Sequence, residues 1–96
     1  MKVRILDEAE PDLVEGFGFY ETQEAGLGDY FIDSPFSDID SLHLYAGIHL
    51  VHFGYHRLLS KRFPFAIYYK VDSKTASVWA VLDCRQDPAK IAGRLK

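Results

Sequence analysis

The chain has 96 residues, 48% of them apolar and 15% aromatic, and a formal charge of −3 from 11 Lys and Arg against 14 Asp and Glu. That length fits one domain with one modest core, and the aromatic content excludes extended disorder. The negative balance excludes indiscriminate nucleic-acid binding, which needs a positive field, and no apolar run approaches the roughly 20 residues of a membrane span.

Residues 2–6 read as a strand, with Val3 and Ile5 on one face and Arg4 on the other. The short apolar run at Met1 ends at Asp7 and is no secretory leader. Asp7 and Glu10 have capping-box spacing, and Ala9, Leu13, Phe17 and Tyr20 recur at helical spacing, so a helix is expected from about 8 to 24. Gly16 and Gly18 weaken its middle and would allow a second helix to pack closely. Gly26 is suited to end this helix in the left-handed conformation, and Asp29 to cap the next. Phe31, Pro35, Ile39 and Leu42 share a face, with Ile32, Phe36 and Tyr45 beside it. The two segments read as an antiparallel helical hairpin. Pro35 predicts a kink, or a split near Ser34. Gly47 closes the helical region.

The apolar period then changes to two. His49, Val51 and Phe53 alternate with Leu50, His52 and Gly54. Tyr55–Phe63 reads as a strand carrying Arg57 and Lys61, which lie four apart and so should share a face. Pro64 bounds the next strand, Phe65–Val71. A tight hairpin leads to Thr75–Leu82, with Ala76, Val78, Ala80 and Leu82 expected on one face. Pro88 opens a last short helix capped by Asp87, with Ile91 and Leu95 turned inward. The fold class is α+β: an N-terminal strand, an antiparallel helical hairpin, a mostly antiparallel three- or four-stranded sheet and a short C-terminal helix. The single Cys84 can form no internal disulfide and fits a reducing cytosol. Acids crowd the N-terminal half, whereas no Lys or Arg lies between Arg4 and Arg57. The C-terminal half could therefore carry a basic face.

Lys61-Arg62-Phe63-Pro64-Phe65-Ala66-Ile67-Tyr68-Tyr69 resembles a strand of the RelE/ParE-type toxins, the plasmid stabilisation proteins, in which Arg-Phe-Pro-Tyr leads to Ile-Tyr-Tyr. Ala80-Val81-Leu82 followed by Arg85-Gln86-Asp87-Pro88 is similar to a second motif of that family. Ala9, Asp12-Leu13, Tyr20, Gly28 and Phe31 match its opening, so the likeness spans almost the whole chain, 1–96. The resemblance implies a cytoplasmic toxin domain neutralised by a small antitoxin, with no metal and no cofactor. RelE-like members cleave messenger RNA on the ribosome, and ParE-like members poison DNA gyrase.

A metal-free ribonuclease must deprotonate a 2′-hydroxyl, stabilise the phosphorane and protonate the leaving oxygen. By the resemblance, Arg57, Lys61 and Arg85 would carry that work, with Arg62 and His56 as weaker candidates. Phe65 stands where the nuclease branch tends to place an arginine. Asp83 and Cys84 replace a His and a small residue, and no tyrosine follows Arg85. These departures favour the ParE-like branch, a toxin that acts by binding protein. The alternatives are a ribosome-dependent endoribonuclease and a non-toxic protein-binding domain. Arg85 could equally hold the Asp87-Pro88 corner together. His43, His49, His52 and His56 match no strong metal motif. Tyr68, Tyr69 and Trp79 could stack on bases, but central strands favour core packing. An inert Cys84 is favoured over a nucleophile. A homodimer is a further expectation.

Overall fold

In the computed structural model, which describes residues 1–96, eight elements follow one another: β1 (Lys2–Ile5), α1 (Glu10–Glu21), α2 (Leu27–Tyr45), β2 (Val51–His52), β3 (Tyr55–Leu59), β4 (Phe65–Asp72), β5 (Thr75–Asp83) and α3 (Pro88–Leu95). The strands form one sheet in the order β1-β5-β4-β3-β2. Consecutive strands from β2 to β5 pair antiparallel, and β1 pairs parallel with β5. The α+β class and the order of elements are as expected. No helix is long and apolar enough to cross a membrane.

The larger core lies between the helix pair and one sheet face. It joins Ala9, Leu13 and Tyr20 of the first helical region to Phe31, Ile39 and Leu42 of α2, and to Phe65, Ile67, Tyr69, Ala76, Val78 and Val81 of the sheet. A smaller core lies on the other face, where Ile91 and Leu95 of α3 cover Ala66, Tyr68, Ala80 and Leu82. Tyr68 and Tyr69 thus point to opposite faces, each into a core.

The expected single face of β5 is corrected. The register shifts between Tyr68, opposite Ala80, and Tyr69, opposite Val78, so that Trp79 is an extra residue in β5. Such a bulge puts two residues of one strand against one of its partner and flips everything beyond it. Ala76 and Val78 therefore face the helix pair, and Ala80 and Leu82 face α3.

The caps also differ from expectation. α1 starts at Glu10, with Ala9 at the N-cap and no side-chain cap bond. A turn from the Leu6 carbonyl to the Ala9 N–H (2.9 Å) precedes it and buries Ala9 completely. The Asp7–Glu10 capping box does not form, because burial of Ala9 sets the start. α2 is not capped by Asp29. Glu21, at the end of α1, accepts from the N–H groups of Gly26 (3.1 Å) and Gly28 (2.9 Å). One carboxylate thereby meets free donors of the next helix, where the dipole favours negative charge. Gly26 takes the expected left-handed conformation at φ 89°. Pro35 does not split α2, which runs unbroken past it. Its ring is fully buried, and that burial offsets the lost ladder bond. Asp87 caps α3 as expected, accepting from the Ala89 N–H at 2.9 Å.

Of the two glycines in α1, only Gly16 serves close packing. A Cβ there would lie 2.7 Å from the Phe31 ring, whereas a Cβ on Gly18 would meet nothing. Gly16→Ala is expected to destabilise the fold by about 1–3 kcal/mol through overpacking. Gly18→Ala is expected to be neutral, or stabilising by up to about 1 kcal/mol. Chemical denaturation of both variants checks the contrast, and equal effects would contradict the packing described.

Candidate functional site

The cations expected on one surface are dispersed. β3 ends at Leu59, so Lys61 lies in a bend beyond it and cannot share a strand face with Arg57. The reason is Phe63. Its ring joins an aromatic cluster 4.9 Å from Tyr20 and 5.2 Å from Phe31, and pulls residues 60–64 out of strand geometry. The Arg-Phe-Pro run thus supplies packing. Lys61 and Arg62 face Asp38 of α2, and Arg62 also lies over the Tyr30 ring at 5.0 Å. Burial raises the Asp38 carboxyl, and those two cations together with Ser60 oppose the rise.

Arg57 stands opposite Tyr68 in the β3–β4 register, hence on the face covered by α3, with Cys84 in range of its charge. Burial pushes the phenol of Tyr68 and the thiol of Cys84 upward. Arg85 belongs to the other side. Its Nε and Nη2 donate to the two oxygens of Asp83 at 3.0 and 2.8 Å, and its backbone N–H donates to the same carboxylate at 2.8 Å. Asp83 pairs with Phe65, whose ring lies in the core under the helix pair. The hydrogen bonds from Arg85 hold the Asp83 carboxyl below its ordinary range. The fork uses two of the five guanidinium N–H groups, and the exposed side chain keeps the other three for a further acceptor. The expectation that Arg57, Lys61 and Arg85 meet on one accessible surface is therefore corrected.

The four histidines do not gather either, and no three His, Cys, Asp or Glu side chains converge. His43 Nδ1 donates to the Met1 carbonyl at 2.8 Å. His49 and His56 instead build a polar junction on Tyr69. The fully buried phenol accepts the Gly47 N–H at 3.0 Å and bonds His49 Nδ1, and His56 stacks on its ring at 5.0 Å. His56 Nδ1 donates to the His49 carbonyl at 2.7 Å. The phenol oxygen can accept from Gly47 while its own proton goes to His49 Nδ1, the arrangement in which the imidazole is neutral. Burial, reinforced by His56, lowers the His49 value.

A second junction was not anticipated. β1 ends at Ile5 opposite Val78, which leaves the next donor of β5 without a strand partner. Asp12 of α1 takes it, accepting from the Val81 N–H at 3.0 Å and from Arg94 Nη1 at 2.9 Å. Arg94 Nη2 also donates to the Glu8 carbonyl at 2.6 Å. One carboxylate so ties α1, β5 and α3 together. Burial raises its value, and the bonds from Val81 and Arg94 oppose that rise.

The largest apolar opening lies beside the helix pair. It is a groove of about 520 Å³ lined by Ile5, Leu13, Val14, Phe17, Ile32 and Phe36, with Glu10 as its one charged residue. Val14 is 72% exposed there, on a helix whose buried residues are Leu13, Gly16 and Tyr20. This groove is the candidate surface for a partner with apolar anchors.

No protein-family model and no curated protein matches the chain. A solved structure does: a chain of the "Chromosomal ParDE TA system from P. aeruginosa" superposes with a TM-score of 0.76 at 17% identity, over 84% of this chain and 92% of that one. At this identity the likeness establishes a shared fold.

The Tyr69 junction generates a pH dependence. Between the lowered folded value of His49 and its ordinary 6.5, the unfolded chain binds more protons, so stability present above 6.5 falls as pH drops below it. His49→Asn is expected to flatten that fall when denaturation is compared at about pH 7.5 and 5.5, within the titration range of histidine. An unchanged slope would contradict the assignment. Tyr69→Phe strands the Gly47 N–H and is expected to cost about 1–3 kcal/mol.

Proposed function

We propose that the chain is the toxin half of a type II toxin–antitoxin pair, of the RelE/ParE kind and nearer the ParE branch. It acts in the cytoplasm by binding a protein, DNA gyrase being the first candidate, and a small antitoxin silences it. The observation that carries this reading is the shared fold, which extends over 92% of a chain from a ParDE system; the open apolar groove beside the helix pair supports it. The dispersal of Arg57, Lys61 and Arg85 supports the protein-binding branch over the ribonuclease branch. Arg85 acts as a corner brace through Asp83. The antitoxin is assigned to the groove, where an amphipathic helix would set apolar anchors against Val14 and Phe36.

Controlled expression without antitoxin is expected to arrest growth and to relax plasmid DNA while leaving messages intact. Full gyrase supercoiling at a large excess of purified chain would remove that target. Discrete cuts in ribosome-bound message, lost in Arg85→Ala, would move the assignment to the ribonuclease branch. Normal growth at verified expression would leave a non-toxic binding domain. Val14→Asp, at an exposed position, is expected to keep the fold and to weaken antitoxin affinity at least about tenfold. Titration calorimetry checks this, and unchanged affinity would displace the antitoxin from the groove.

A further inference from the structure

From Ser41 to His56 the chain has no Asp, Glu, Lys or Arg, although charged residues make up 26% of the whole. This stretch spans the end of α2, the connector, β2 and the start of β3. Its apolar side chains are not buried. Leu44 is 81% exposed, Ile48 72%, Leu50 78%, Val51 58% and Phe53 52%. β2 is the outermost strand and pairs only with β3, so its other side presents free backbone donors and acceptors. Edge strands are usually blunted by shortness, lysine, proline or a bulge; β2 is two residues long and has none of the other three.

The turn after β2 is a second, independent sign. Phe53 has φ 57° and Gly54 φ 85°, which makes a two-residue hairpin loop with both residues left-handed. Asn-Gly suits such a loop, and an aromatic side chain at the first position is strained. Phe53 gains little burial in return. A strained, half-exposed ring at the tip of an unprotected edge is placed for an intermolecular contact.

We infer that this edge is a homodimer contact, in which β2 pairs antiparallel with β2 of a second copy across a two-fold axis. Leu50, Val51 and Phe53 of one copy then lie against the same residues of the other. A two-fold contact must be complementary to itself. On a chain of charge −3, the uncharged stretch is where two copies meet with least like-charge repulsion. A basic foreign segment would be drawn to the acidic helix pair instead. Antiparallel pairing is also what a two-fold imposes on two edge strands that meet side by side. The surface is separate from the groove beside the helix pair, and the inference does not rest on the toxin reading.

Sedimentation of the full chain over a wide concentration series tests it, with Val51→Lys and Phe53→Asn alongside. Phe53→Asn creates the favoured Asn-Gly loop, so a melting temperature at or above that of the wild type shows the fold is kept. The wild type is expected to move from the 11.0 kDa chain mass toward twice that value as concentration rises. Each variant should need at least about tenfold more protein to do so. A wild-type monomer at every concentration would overturn the inference, as would a dimer that both variants leave unchanged. Protection of β2 amides that appears only with a different protein would also overturn it, by assigning the edge to a foreign strand.

Discussion

The two helices can sit on this sheet only because Phe31 lies over Gly16 with no side chain between them. A methyl group at that point would fall 2.7 Å from the ring. The close approach sets Phe31 against Tyr20 and Phe65, each at 4.8 and 4.8 Å between ring centres, and Phe63 closes the cluster from the bend before β4. Tyr20, Phe31 and Phe65 thus seal the centre of the molecule. Where α1 and α2 part, toward β1, Leu13 and Ile32 floor a groove whose rim is Val14 and Phe36.

Charge is used locally. Arg85 forks onto Asp83 and Arg94 onto Asp12. These pairs hold corners and join elements. The acids of the N-terminal half lie on the helix pair, away from the uncharged edge at β2. One face therefore suits a partner with apolar anchors, and another suits a second copy.

The features that a sequence reveals here are those written in neighbouring residues. The period of two at Val3 and Ile5, the stripe of Phe31, Pro35, Ile39 and Leu42, the left-handed Gly26, the hairpin before Thr75 and the Asp87 cap all rest on positions a few residues apart, and all are present. What escaped depends on distance or on an insertion. The bulge at Trp79 adds one residue that no alternation reveals, and it moves Ala80 and Leu82 to the second core. Glu21 caps a helix that begins after its own has ended, so the nearer Asp29 looked the better candidate. Arg94 meets Asp12 across 82 positions. Lys61 left its expected face because Phe63, two residues on, packs among rings of both helices.

The central claim is that the groove beside the helix pair, lined by Leu13, Val14, Ile32 and Phe36, receives a small protein. Amide hydrogen exchange on the chain, alone and saturated with a small antitoxin that silences its toxicity on co-expression, tests this most directly. Slowed exchange is expected at the residues of α1 and α2 that line the groove, with the α3 face unchanged. Slowing confined to the α3 face, or no change along either long helix, would contradict the account.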